Sequence, residues 1–185
     1  KLFCDWYVPT IISKKKAKLI NRKLVKKIKF LLSKLKQKND TFVHRDFHVS
    51  NLMMLKNRYG VIDTQDAVIG NKSYDLASLI DDVRFKTSTK LKKQVFEFYL
   101  NINKAELDLG KFKNDFDILS VLRNLKIIGI FTRLAKRDKK YNYLKFIPYT
   151  WKLIELRINN NFLLKDLKIF LDKNFSKKIR NRNEN

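Results

Sequence analysis

A helix-dominated α+β fold with one small β insert is what this sequence predicts. Three observations lead there. Apolar residues recur at helical spacing over most of the chain. The stretch from about residue 41 to 62 departs from that spacing, with short β-branched and aromatic runs and a turn signal between them. Only 4 Gly and 2 Pro occur in 185 residues, too few for the many tight turns of a β sandwich or barrel. A hydrophobic content of 44% is ordinary for a folded chain, so the net charge of +24 does not imply disorder as a whole. The length suits one domain or one large lobe.

The elements follow in order. Residues 11–38 read as a long basic helix, with Ile20, Leu24, Ile28, Leu31 and Leu35 on one face and lysines on the other. Asn39-Asp40 breaks it. Residues 41–44 form a short strand, and residues 52–55 and 59–62 two more. Asn57-Arg58-Tyr59-Gly60 is the hairpin turn between the last two. Gly70-Asn71 is a loop, and Ser73 caps a helix over residues 74–84. Helices over 91–100, 116–134, 141–158 and 162–175 follow, the second of them apolar on two faces and therefore buried and central. The domain is expected to occupy residues 1–176, with 177–185 a frayed polar tail.

Composition excludes several classes. A single Cys rules out a disulfide framework and a Cys-rich zinc site. Two His and that one distant Cys do not make the three or four ligands of zinc either. No apolar run approaches the roughly 18 residues of a membrane span, and residues 1–9 carry no signal-peptide pattern. The expectation is a soluble, cytoplasmic protein. The chain begins at Lys1 rather than Met, and is expected to be a truncated reading of a longer gene, the alternative being a degenerate remnant.

The charge is unevenly placed. Between residues 40 and 82 there are seven Asp against four bases, net −3, which leaves +27 for the rest. Clustered bases suit phosphate backbones, but a chain built mainly to grip them need not gather its acids in one stretch, whereas a metal or proton-transfer site must. The excess lysine is read as compositional bias and solvated helix faces, and no specific nucleic-acid partner is expected.

The unusual residues sit in the β insert: His44-Arg45-Asp46-Phe47-His48-Val49-Ser50-Asn51, then Ile62-Asp63-Thr64-Gln65-Asp66, then Tyr74-Asp75-Leu76-Ala77. A hairpin that starts after Asn51 and ends at Asp63 brings the two side by side, with Asp46 on the loop leading in. Asn51 and Asp63 supply the hard oxygens that Mg²⁺ takes, with substrate phosphates completing the shell. Asp46, near but separate, is placed to accept a proton from an attacking hydroxyl. That division of labour is the one phosphoryl transfer needs, where positioning and charge neutralisation carry most of the catalysis.

With these motifs the sequence resembles the C-terminal lobe of the aminoglycoside phosphotransferase and choline kinase family, small-molecule kinases with a protein-kinase-like fold. The resemblance implies Asp46 as catalytic base, Asn51 and Asp63 as Mg²⁺ ligands, and ATP as donor. Within the family the wording is most similar to the anomeric kinases of N-acetylmuramate and N-acetylglucosamine, through Val43 to His48, Asn51-Leu52-Met53, Gly60 to Ala67, Tyr74 to Leu79, Arg123 to Leu134 and Phe3-Cys4-Asp5-Trp6-Tyr7. It spans about residues 2–157 and implies an amino-sugar acceptor and a role in cell-wall sugar recycling. The family's N-terminal lobe, with its nucleotide-covering loop and phosphate-binding Lys, has no counterpart before Asp46, so this stretch alone is expected to bind ATP poorly.

The remaining residues carry expectations of their own. His44, Arg45 and Asp75 brace the loop, Arg45 by pairing with an acid. His48 either touches substrate or braces. Gln65 and Asp66 face either the acceptor or a second metal. Asp81, Asp82 and Arg84 line the sugar pocket or lie on a solvated face. Arg133, Lys136 and Arg137 close a helix C-terminus, where cations are favourable. Cys4, Trp6 and Trp151 pack. Rival readings are a kinase of the same family for an aminoglycoside, choline or homoserine, and a non-catalytic basic module for nucleic acid or anionic membrane.

Overall fold

Ser13 divides the first helix. Ile12 (φ −125°, ψ 140°) and Ser13 (φ −54°, ψ 144°) leave the helical region. The N-terminal segment is therefore a π-helical turn, Phe3–Tyr7, running into α1 (Val8–Ile11), followed by a separate α2 (Lys14–Leu32). The computed structural model describes residues 1–182. These form two compact units: residues 1–34 together with the chain from Val121 onward, and Leu35–Ser120.

In the second unit β1 (Asn39–Val43) pairs antiparallel with β4 (Val68–Asn71), and β2 (Leu52–Leu55) pairs antiparallel with β3 (Arg58–Val61). Leu55 faces Arg58 across the second pair. The turn is thus the two residues Lys56-Asn57, and the expected turn at Asn57 to Gly60 is corrected: Gly60 lies inside the strand opposite Met53. β4 replaces the loop expected at Gly70-Asn71. Its residues pair only because β1 offers a partner, a long-range cause that local propensity does not contain.

Helices follow: α3 (Ser73–Ile80), α4 (Thr89–Ile102) and α5 (Leu109–Asp138), whose first part belongs to this unit. Ser88 Oγ caps α4 by accepting from Leu91 N at 3.1 Å. Leu76, Ala77, Ile80, Phe112 and Phe116 form the unit's core, with Val95, Phe96 and Tyr99 of α4 against it. The Phe96 and Phe116 rings lie 4.6 Å apart between centroids. Asp115, fully buried, accepts from Lys36 N (2.8 Å), Gln37 N (2.9 Å) and Asn71 Nδ2 (2.7 Å). These bonds explain why the helical pattern of residues 11–38 stops early. The amides of Lys36 and Gln37 go to a carboxylate, not to helix carbonyls.

The first unit packs α2 against α7 (Lys165–Asn174), with α6 (Ile147–Ile158) against α8 (Lys177–Arg180). Phe3, Tyr7, Trp151 and Phe175 form its aromatic centre, and Trp151 Nε1 donates to Tyr7 Oη at 3.1 Å. Gly129 in α5 makes room for the N-terminal turn: a Cβ there would meet Leu2 C and Phe3 N at 2.3 Å. The expected helices at 141–158 and 162–175 each open with a 3₁₀ turn, Tyr141–Phe146 and Phe162–Leu164. Where a frayed tail was expected from residue 177, α8 forms. Its Arg180 is buried, 4.8 Å above the Trp151 ring, and donates to Glu155 at 2.8 Å and Asp172 at 2.6 Å. The last three tail residues lie outside the described residues. Among the described residues no helix is long and apolar enough to cross a membrane.

Candidate active site

The loop from β1 to β2, residues 44–51, is held from below by one carboxylate. Asp75, in the first turn of α3, accepts from His44 N through Oδ2 at 2.6 Å and from Arg45 N through Oδ1 at 3.0 Å. Arg45 sits at φ 72°, a left-handed conformation that a bulky residue adopts only when its surroundings compel it. The paired amide bonds to Asp75 supply that compulsion. The Arg45 guanidinium does not pair with an acid as expected; Nη1 donates to the backbone carbonyl of Asp66 at 3.0 Å. It ties the 63–67 segment to the 44–51 loop.

His44 is buried, and its Nε2 lies 2.9 Å from the carbonyl of Ile62. A carbonyl only accepts, so Nε2 carries the proton in this contact. Its ring also stands edge-on to Phe47, 6.1 Å between centroids. His48 is buried, its backbone N on the Asp46 carbonyl at 3.0 Å and its own carbonyl on Asn51 N at 2.9 Å. These bonds wind residues 46–51 into a tight turn whose 3₁₀ end, Val49–Asn51, leads directly into β2.

Asn51 joins the parts. Its Nδ2 donates to the Asp46 carbonyl at 2.9 Å and lies 3.5 Å from Asp63 Oδ2, while its backbone carbonyl accepts from Ile62 N at 3.1 Å. The hairpin β2–β3 is in register from Leu52↔Val61 outward. The residue after Ile62 therefore returns beside Asn51, as the spacing predicts. Asp63 is exposed at φ 69° and turns its side chain back toward the loop. Gln65 Nε2 donates to Asp63 Oδ1, so Gln65 lies against Asp63 in place of reaching outward alone. Asp46 is half-buried; Asp66 is exposed.

A hard cation fits this donor set. Asn51 offers an amide oxygen, and Asp63 a carboxylate oxygen whose one contact to Asn51 is long. Two protein oxygens with open positions is the pattern Mg²⁺ adopts when phosphates complete its shell. Among the described residues no three His, Cys, Asp or Glu side chains cluster as an all-protein metal cage would require.

The acids after α3 do not lie on a solvated face. The helix ends at Ile80 because Asp81 (φ −103°, ψ 41°) leaves it and Asp82 Oδ1 accepts from Arg84 N at 2.9 Å, a side-chain turn that competes with the helix. Asp81 is fully buried, not solvated, and accepts from Ser120 Oγ at 2.6 Å with Lys92 Nζ 3.6 Å away. Asp82 is 2% exposed, and its Oδ2 finds no hydrogen-bond partner among the described residues. Sequence reasoning missed Asp115 and Lys92. The available signal was a charged residue interrupting an apolar helical pattern, as Asp115 does between Phe112 and Phe116. Arg137, expected at a helix C-terminus, pairs there with Asp138 at 2.6 Å, which holds the Asp138 carboxyl below its ordinary range.

Comparison with known proteins identifies relatives of the chain. A family model described as "Phosphotransferase enzyme family" matches residues 10–109. Three proteins named N-acetylmuramate/N-acetylglucosamine kinase align with the chain. The one from Caulobacter vibrioides is 36% identical over 120 residues, 62% of this chain and 33% of that protein. The one from Neisseria meningitidis serogroup B is 35% identical over 160 residues, 80% of this chain and 46% of that protein. The one from Pseudomonas aeruginosa is 32% identical over 167 residues, 85% of this chain and 48% of that protein. The chain thus spans a third to a half of the length of these curated relatives.

Proposed function

This chain belongs to the phosphotransferase enzyme family, and on that footing we propose that the complete protein is a small-molecule kinase. Its donor is ATP with Mg²⁺, and its acceptor is the anomeric hydroxyl of N-acetylmuramate or N-acetylglucosamine. The single observation that carries the reading is Asn51, whose amide ties the Asp46 loop to the place where the hairpin returns Asp63.

The roles divide by exposure and tethering. Asp46 is the base: its carboxylate takes the proton of the acceptor hydroxyl as that oxygen bonds to the γ-phosphorus and the bridging P–O bond to ADP breaks. An anomeric hydroxyl is more acidic than an ordinary alcohol, so orienting it and accepting its proton late is sufficient. Asn51 and Asp63 would hold Mg²⁺, which when bound neutralises the charge on the donor phosphates. Asp75, His44 and Arg45 are positioning residues that fix the loop's backbone. Gln65 orients Asp63. Asp66 and His48 stand beside these groups as contacts for the acceptor or a second metal. The amino-sugar assignment rests on the names of the relatives and on the motifs shared with such kinases. A cytoplasmic location, where ATP is available, goes with this reading.

Phosphorus NMR of the complete protein with Mg-ATP and a panel of N-acetylmuramate, N-acetylglucosamine, choline and an aminoglycoside tests this. A sugar 1-phosphate resonance is expected. Transfer to choline or the aminoglycoside alone would keep the kinase and discard the sugar. No transfer to any acceptor by a folded complete protein would refute the assignment.

A further inference from the structure

The charge of the chain belongs almost entirely to one unit. Residues 1–34 and 121–185 carry 28 Lys+Arg against 6 Asp+Glu, net +22, while Leu35–Ser120 carries 14 against 12, net +2. A compositional drift toward lysine would raise both units alike. This segregation instead gives the helical unit a polycationic surface and spares the unit that holds the candidate active site.

The basic surface also carries apolar side chains in ordered positions. On α2, Lys16, Leu19, Lys23, Lys26 and Phe30 follow one another at steps of three, four, three and four, so they form a single file along the helix. All five are exposed, Leu19 by 46% and Phe30 by 48%, and the buried stripe of Ala17, Ile20, Leu24 and Leu31 runs along a separate face about a third of a turn away. Among the described residues Lys16, Lys23 and Lys26 form no ion pair. Beside this file, Lys27 bridges to Asp166 of α7 at 2.5 Å. In sequence, Phe162, 84% exposed, precedes Asp166 and Ile169, 56% exposed, follows it. Between the two helices runs an open groove of about 230 Å³ floored by Phe30, Leu31, Leu163 and Leu167.

We propose that this α2–α7 face docks on the surface of an anionic lipid bilayer. Positive charge complements acidic headgroups, and Leu19, Phe30, Phe162 and Ile169 reach the headgroup–acyl boundary, the pattern by which helices lie in a membrane interface. Nucleic acid fits the same charge but has no use for exposed aliphatic side chains such as Leu19 and Ile169, since its affinity comes from phosphate contacts and aromatic stacking. The interaction is peripheral, in keeping with the absence of a spanning helix among the described residues.

Vesicle flotation of the full chain, with its helical circular dichroism as the folding check, decides the matter. The chain is expected to float with phosphatidylcholine vesicles containing phosphatidylglycerol and not with phosphatidylcholine alone. The triple charge reversal Lys16→Glu, Lys23→Glu, Lys26→Glu is expected to lower the partition coefficient about a hundredfold or more. The pair Leu19→Ser, Phe30→Ser, exposed and so harmless to folding, is expected to lower it about tenfold at unchanged charge. Equal flotation with neutral vesicles, or none with acidic ones, would overturn the proposal. So would an undiminished partition of the Leu19/Phe30 variant. Displacement from acidic vesicles by poly(U) RNA at equal phosphate would overturn it in favour of a nucleic-acid surface.

Discussion

Asp75→Asn is the most informative single change outside the proposed chemistry. The wild-type carboxylate accepts two backbone amides at 2.6 and 3.0 Å and keeps Arg45 at φ 72°. An asparagine retains one oxygen, so one bond is lost and an NH₂ group is turned toward an amide donor. A hydrogen bond to a charged acceptor contributes about 1.5–3 kcal/mol, and the surviving bond falls to roughly half its strength once the charge is gone. Together these put the loss near about 2–4 kcal/mol. Arg45, relieved of its constraint, relaxes from a conformation that costs about 1–3 kcal/mol, so the 44–51 loop opens locally more often than the whole unit unfolds. The assay is amide hydrogen exchange at His44 and Arg45 together with a urea unfolding curve. Exchange at those two amides should speed by at least about thirtyfold, beyond any change at α4. Unchanged protection at both, with the unfolding midpoint also unmoved, would refute the claim that Asp75 holds the loop.

Other consequences follow from the packing. Gly129→Ala should destabilise by at least about 2 kcal/mol in urea unfolding, since a Cβ 2.3 Å from the Leu2–Phe3 backbone forces the N-terminal turn to move. Asp115→Asn should cost about 3–5 kcal/mol, because the amides of Lys36 and Gln37 and the side chain of Asn71 lose a buried charged acceptor. Cys4 should resist alkylation in the native protein near neutral pH and react on unfolding. It is buried, and burial raises its thiol pKa, which keeps the thiolate scarce near neutral pH.

Much of the candidate site was legible because its geometry is local. Twelve positions from Asn51 to Asp63 are enough for one hairpin, and the register from Leu52↔Val61 returns Asp63 beside Asn51 whatever the rest of the chain does. Gly60 reads locally as a turn former but occupies a strand position against Met53, so the turn lies two residues earlier than its local signal. β4 was missed because Gly70 weakens strand propensity and only pairing with β1 restores it. The early end of α2 and the end of α3 at Ile80 were illegible for a different reason. Both are decided by carboxylates, Asp115 and Asp82, which divert backbone amides, and the hydrophobic period continues past each stop. The burial of Asp81 is not legible locally, because Ser120, which donates to it, is 39 positions away in the chain. Charge composition is legible in total but not in its placement. Its confinement to one unit is visible only once the unit boundaries at Lys34 and Val121 are known.

The central claim is that Asp46 activates the acceptor at a site assembled by Asn51 and Asp63. Turnover of the amino sugar by the complete protein carrying Asp46→Asn measures it most directly, with Mg-ATP affinity and unfolding midpoint followed in parallel. The account predicts a fall in kcat of about a hundredfold to ten-thousandfold with nucleotide affinity and stability unchanged. A kcat within a few-fold of wild type in a correctly folded variant would contradict it.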